Sequence, residues 1–207
     1  MARILLINGS PHEKGCTYTA LMEVRKGLEE WGIESELYWI GNKPIAGCIA
    51  CGKCYETGRC VFDDLVNDLL ARANEFDGMV IGSPVYYAGP AGQLCAFLDR
   101  LFYASAGRWA GKVGAAVVSC RRGGATAAFD RLNKYFSISK MPIATSQYWN
   151  QVHGNTPEQV KQDLEGLQTM RTLAENMRFM LQSIEAGKAA GVKPLTYEPK
   201  TPTNFIR

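Results

Sequence analysis

Histidine is almost absent from this chain: His12 and His153 are the only two among 207 residues. No Ser–His–Asp or Cys–His arrangement can be assembled from them, and no HxxxH spacing offers a metal-binding pair. Long apolar runs are missing too, and none reaches the roughly 18 residues that a membrane-spanning helix requires. The chain enters a strand pattern at once, without the charged, apolar and small-residue regions of a secretory signal. Lysine and arginine never gather into a stripe and the formal net charge is only +3, which speaks against nucleic acid as a partner. The Gly-Lys-Ser/Thr that closes a Walker A loop is lacking, as is the GxGxxG of dinucleotide-binding folds. No internal repeat and no low-complexity segment interrupts the pattern.

What is present describes a globular protein of ordinary domain size, 46% hydrophobic and 21% charged. Seven cysteines without a secretory signal point to a reducing, cytoplasmic compartment, where closely spaced thiols bind metal or do redox work more often than they pair. The expected organisation is one domain over residues 1–187, with a cysteine-rich loop at 41–62 inside it, and a Gly/Pro-punctuated tail at 188–207.

Strand and helix patterns alternate along that domain. Arg3 to Ile7 is a continuous apolar strand of the kind buried on both faces of a parallel sheet. The chain breaks at Asn8-Gly9-Ser10-Pro11 and restarts at Thr17 as an amphipathic helix to about Trp31. Further strands are expected at 33–40, 77–84, 112–119 and 141–148, with helices from Asp63-Asp64 to about Phe76, at 90–103, at 125–136 and from Thr156 to about Glu185. Repeated βα units imply a parallel sheet with helices on both faces, and such sheets bind ligands beyond the carboxyl ends of their strands. The loops at 8–17, 83–90 and 119–124 therefore converge on one edge. In the first of them, unpartnered amides at a helix N-terminus, with Ser10 and Thr17 hydroxyls beside them, make an anion site.

Those loops resemble a known family. Asn8-Gly-Ser-Pro11 with Gly15-Cys-Thr17 is similar to the phosphate loop of the flavodoxin-like NAD(P)H-dependent FMN reductases. Gly82-Ser-Pro-Val-Tyr-Tyr-Ala-Gly89, followed by Gln93 and Phe97-Leu-Asp-Arg100, resembles that family's flavin-ring loop and the helix after it. The resemblance covers roughly residues 3–150. It implies an α/β fold, a flavodoxin-like three-layer sandwich whose five-stranded parallel sheet has the order 2-1-3-4-5 and carries helices on both faces. It also implies bound FMN, with NAD(P)H as cosubstrate and a small-molecule electron acceptor such as a quinone, flavin, nitro or azo compound. Carried over residue by residue, Ser10, His12, Cys16 and Thr17 surround the phosphate. Pro84, Val85, Tyr86, Tyr87 and Ala88 lie along the isoalloxazine, and Ser119, Arg121, Gly123 and Gly124 close its pyrimidine side. Relatives commonly have Asn at the position of Cys16 and a basic residue at that of His12, but the backbone donors do not depend on either side chain. No protein group is assigned a catalytic role, since the flavin carries the chemistry.

Cys48, Cys51, Cys54 and Cys60 form a CxxCxxCx5C pattern within thirteen residues. Such spacing can wrap a [4Fe–4S] centre, while a four-cysteine zinc site and a set of free thiols are the alternatives. In this position the motif resembles that of the iron–sulfur flavoproteins, homo-oligomers whose cluster relays electrons to FMN. That resemblance implies a second function, electron transfer from a ferredoxin-like donor. Cys95 reads as a small core residue, whereas Cys16 and Cys120 fall on the expected flavin edge. Asp63-Asp64 read as a helix cap and Asp99-Arg100 as a local charge pair on a helix. The last long helix and the tail segment Thr203–Arg207 are expected to serve a homodimer or homotetramer interface.

Overall fold

The computed structural model describes residues 2–199 together with 201 and 203; of the tail segment expected at an interface, 204–207 lie outside the described residues. The elements run β1 (Arg3–Asn8), α1 (Cys16–Glu29), β2 (Glu34–Trp39), α2 (Lys53–Thr57), α3 (Leu65–Ala71) with a 3-10 turn at Ala73–Glu75, then β3 (Gly78–Tyr86), β4 (Gly89–Pro90) and α4 (Gly92–Tyr103). There follow β5 (Val113–Cys120), α5 (Ala125–Ile138), β6 (Gln151–His153), α6 (Pro157–Val160) and α7 (Leu164–Ala189).

Five of the strands pair in parallel in the order β2-β1-β3-β5-β6, which is the order 2-1-3-4-5 of a flavodoxin-like sheet. The sixth, β4, turns back antiparallel on the end of β3, pairing Val85 with Pro90 and Tyr86 with Gly89. Period-two alternation along β1 divides the core. Leu5 and Ile7 pack with α3, α4 and α5 on one face, whereas Ile4 and Leu6 pack with α1 and α7 on the other. Helices α1 and α7 meet closely at Gly27, where an added Cβ would come within 2.7 Å of the Ala174 Cβ.

Two expected elements differ. The strand expected at 141–148 makes only one bridge, Ile143 to Gly114, and the fifth parallel strand is instead Gln151–His153. Pro142 has no N–H to offer a ladder. The chain then turns through Ser146, whose hydroxyl bonds the Tyr148 carbonyl and Asn150 Oδ1 at 2.5 and 2.7 Å. The single helix expected from Thr156 is split, because Asp163 acts as a cap. Its carboxylate accepts from the Gly166 amide at 2.9 Å and from the His153 amide at 2.6 Å, better use of an Asp than a helix interior.

At the outer edge, Arg72 donates bidentately to Glu36 at 2.7 Å through both terminal nitrogens, and Arg3 adds a 2.6 Å bond to the same carboxylate. The hydrogen bond from Arg72, more than the charge of Arg3, holds Glu36 below its usual carboxyl range. A lowered folded-state value makes the stabilisation complete above the unfolded value and removes it as pH falls through the folded one. Glu36→Gln is expected to lose about 0.2–1 kcal/mol at neutral pH, as partly exposed pairs do. The gap from the parent should close in acid; thermal melts that show a constant gap across the carboxylate range would refute the assignment.

Candidate functional site

The first loop at the carboxyl edge is held by hydrogen bonds between side chains and its backbone. Ser10 is buried: its amide donates to Asn8 Oδ1 at 3.1 Å, its hydroxyl accepts from the His12 amide at 3.1 Å, and its carbonyl accepts from Trp39 Nε1 at 2.8 Å. The Asn8 amide group donates to the Glu13 carbonyl at 2.9 Å, closing the loop across its base. Helix α1 then starts after Gly15 with no side chain capping it, so the amides of Cys16, Thr17 and Tyr18 reach out without intrahelical acceptors. The fourteen-residue helix behind them adds its dipole.

Two contacts join the three loops into one site. Thr17 and Ser119, both buried, share a 2.9 Å hydroxyl–hydroxyl hydrogen bond across 102 residues of sequence. Gly124, at φ +89°, lies so close to the ring loop that an added Cβ would sit 2.8 Å from Ala88 Cα and 3.2 Å from Val85 Cγ1. Within that ring loop Ser83 pins the turn. Its hydroxyl accepts from the Ala91 amide at 3.0 Å and donates to the Pro84 carbonyl at 2.8 Å. The chain passes through the left-handed region at Tyr87 (φ 50°) and Ala88 (φ 58°), a backbone strain that concentrates at binding sites. Pro84 and Val85 are half-buried, while Tyr86, Tyr87 and Ala88 are exposed, as are Arg121 and Gly123 on the facing loop. His12 is exposed at the mouth of the first loop, and Cys16 is half-buried with its thiol 3.7 Å from the Gly154 carbonyl.

The loops that carry the residues expected at the flavin lie at one edge. Ser119 is engaged by Thr17 at the α1 end of the groove, whereas Gly124 packs against Ala88 and Val85 of the ring loop. Burial raises the thiol pKa of Cys16 and Cys120, which disfavours the reactive thiolate. Cys95 is half-buried, and burial raises its thiol in the same way.

The cysteine-rich loop wraps the far side of α4. Cys48, Cys51, Cys54 and Cys60 line one pocket with Ile49, Val61, Phe62, Tyr103 and Arg100. Cys54 stands on α2, a one-turn helix that the sequence pattern does not reveal. Burial raises its thiol pKa, its own backbone amide offsets part of this, and the charges of the three neighbouring cysteines raise it further. Among the described residues no three His, Cys, Asp or Glu side chains stand close enough to share one metal ion. A tetrahedral zinc site, with Zn–S bonds of about 2.3 Å, needs a tighter set.

Arg100 is the residue whose role the sequence conceals. Asp99 and Arg100 are no local pair: neighbours on a helix point about 100° apart, too far to face each other. Asp99 turns to Tyr135 and Arg131, while Arg100, fully buried, forks onto Asp64 with both contacts at 2.8 Å. Its Nε donates to Cys60 Sγ at 3.2 Å. Asp64 also caps α3 through the Val66 amide at 3.1 Å, as expected. Burial works against the guanidinium charge, but the hydrogen bonds to Asp64 and Cys60 outweigh it and raise the Arg100 pKa.

A parallel sheet in this order, with an uncapped helix start and two small-residue loops at the carboxyl edge where such sheets bind ligands, defines a flavodoxin-like fold. The chain belongs to the NADPH-dependent FMN reductase family, whose profile matches residues 2–156. It is 31% identical over 191 residues to an iron–sulfur flavoprotein of Methanocaldococcus jannaschii, covering 88% of this chain and 99% of that one. Among solved structures it is similar to RosB with bound 8-demethyl-8-formylriboflavin-5'-phosphate, at TM-score 0.73 and 13% identity over 100% of this chain and 94% of that one. It is also similar to a flavodoxin from the domain Archaea, at TM-score 0.55 and 17% identity over 86% and 99%. The family makes this an FMN-dependent oxidoreductase. Among the described residues no helix is long and apolar enough to cross a membrane.

Proposed function

We propose that this oxidoreductase draws electrons from NAD(P)H and delivers them to a small flat acceptor: a quinone, a flavin, or a nitro or azo compound. The convergence of three loops on one edge, stitched by Thr17–Ser119 and by the Gly124–Ala88 contact, is the observation that carries this reading. The residues present fit FMN. The amides of Cys16, Thr17 and Tyr18, with the Ser10 and Thr17 hydroxyls and His12 beside them, would hold the phosphate. Pro84, Val85, Tyr86, Tyr87 and Ala88 would flank the ring on one side and Arg121, Gly123 and Gly124 on the other, with Ser119 beside Thr17 at the phosphate end. Bound FMN supplies the redox chemistry, taking up a hydride equivalent and releasing electrons singly or in pairs. Arg121 would offset negative charge at the pyrimidine end, and the exposed Tyr86 and Tyr87 offer flat surface on which an acceptor can stack.

A second reading is favoured by the cysteine pocket: an iron–sulfur flavoprotein that takes electrons from a ferredoxin-like donor. Four thiols around an apolar pocket, with a buried guanidinium on one of them, suit a [4Fe–4S] centre held by Cys48, Cys51, Cys54 and Cys60. That centre would supply one-electron relay. The exposed apolar rim of that pocket, Ile49, Tyr55, Val61 and Tyr103, supports a homodimer or homotetramer. An address in the reducing cytoplasm accompanies either reading, since closely spaced thiols such as Cys48, Cys51, Cys54 and Cys60 serve metal or redox work there.

The deciding experiment is anaerobic purification followed by FMN titration, iron and sulfide assays, and NAD(P)H oxidation with a quinone acceptor. FMN binding with NAD(P)H turnover is expected. A protein that takes up no FMN would end the proposal; about four irons per chain with negligible NAD(P)H turnover would move electron transfer to the front.

A further inference from the structure

We propose that Arg100 is the positioning residue for the Cys60 sulfur, and that its Nε–H sets the reduction potential of a cluster bound in the cysteine pocket. This inference rests on the reading of Cys48, Cys51, Cys54 and Cys60 as cluster ligands.

The guanidinium has five N–H donors in a fixed plane, and every one has an acceptor. Two go to Asp64 Oδ2 and Oδ1 at 2.8 Å each, one to the Ala46 carbonyl at 3.2 Å and one to the Phe62 carbonyl at 3.4 Å. The fifth, on Nε, goes to Cys60 Sγ. The face of the guanidinium lies 4.8 Å from the Phe62 ring centre, and the side chain is wholly excluded from solvent. With four donors on fixed oxygens and one face on a ring, the Nε–H has a single direction left.

Cys60 is held from its other side as well. Its amide donates to Asn67 Oδ1 at 2.8 Å and its carbonyl accepts from Asn67 Nδ2 at 3.0 Å, and Asn67 itself is buried. Of the four cysteines, Cys60 alone has both its backbone and its sulfur fixed by buried side chains among the contacts described; Cys48 and Cys51 are exposed. A hydrogen bond to a ligating thiolate withdraws electron density and favours the reduced centre, so it raises the potential. Asp64 occupies the opposite edge of the guanidinium and tempers that pull by partly neutralising the charge. Lysine could carry the charge but could not fork onto Asp64 and reach Cys60 together.

The test uses protein reconstituted anaerobically with ferrous iron and sulfide, assayed for iron per chain and titrated spectroelectrochemically. Arg100→Lys should shift the cluster midpoint to a more negative value. Asp64→Asn, which keeps a helix-capping oxygen but removes the opposing charge, should shift it to a less negative value. Shifts of opposite sign are not produced by general loosening of the pocket. Unchanged midpoints in both iron-containing variants would overturn the role of Arg100 while leaving the ligand assignment intact. A parent protein that takes up no iron would overturn the ligand assignment and this inference together. Should Arg100→Lys hold no iron, Asp64→Asn decides alone: a less negative midpoint supports the inference and an unchanged one overturns it.

Discussion

Arg100→Leu will lower the stability of the reduced, metal-free protein by about 3 kcal/mol, which in a chain of this size moves the thermal midpoint down by about 6–12 °C. The size of the effect follows from asymmetry. Removing one member of a buried ion pair leaves the other charge without its partner, and four carbonyl or carboxylate contacts lose their donors at once. The value sits at the low end for buried pairs because the Asp64 side chain is 29% exposed and can be rehydrated. Removing the second charge as well should recover part of the loss. In Arg100→Leu/Asp64→Ser the serine still caps α3 and no orphaned carboxylate remains. Melts in which single and double variants fall equally would show that the packing of the arginine, and not the pairing, carries the effect.

Gly124→Val is expected to weaken FMN binding by about 10- to 100-fold, the equivalent of roughly 1.4–3 kcal/mol. Two penalties combine. A β-branched residue is strained at φ +89°. Its Cβ would also stand 2.8 Å from Ala88 Cα, a backbone atom that cannot swing aside, so the ring loop from Pro84 to Ala88 must move. Gly187→Ala in α7, outside the residues assigned to the flavin, is the control, since a Cβ there meets only Val192 at an ordinary 3.6 Å. Fluorescence titration should return near-parental affinity for Gly187→Ala. Parental affinity in Gly124→Val would remove the 121–124 loop from the flavin site.

Much of this is legible in the chain because it depends on local pattern. The apolar run of β1 suits only a central strand, and every residue from Ile4 to Asn8 is buried. The small-residue loops can be aligned on one edge because a parallel sheet places every βα turn on the same side. What escapes reading is set by partners distant in sequence. The three residues of β6 carry no pattern of their own and become a strand only because β5 offers Val118, Ser119 and Cys120 as an edge. Asp163 ends one helix turn and begins α7 because the His153 amide needs it, a demand invisible ten residues away. Sequence proximity pairs Arg100 with Asp99, yet its true partners, Asp64 and Cys60, come from segments 36 and 40 residues earlier. The short helix α2 lies hidden among cysteines, although glycines in the left-handed region at 52 and 58 bracket it.

The hydroxyl bond between Thr17 and Ser119 has a bearing on biosynthesis. It closes a span of 102 residues, and β1, β3 and β5, the strands that carry the loops, pair with one another in parallel, so no local hairpin can bring the three loops together. A chain emerging from the ribosome at about 5–20 residues per second therefore exposes an incomplete groove for several seconds. During that interval α1 presents its uncapped start without the loop that must face it. The groove that this bond closes therefore cannot exist until β5 has been made.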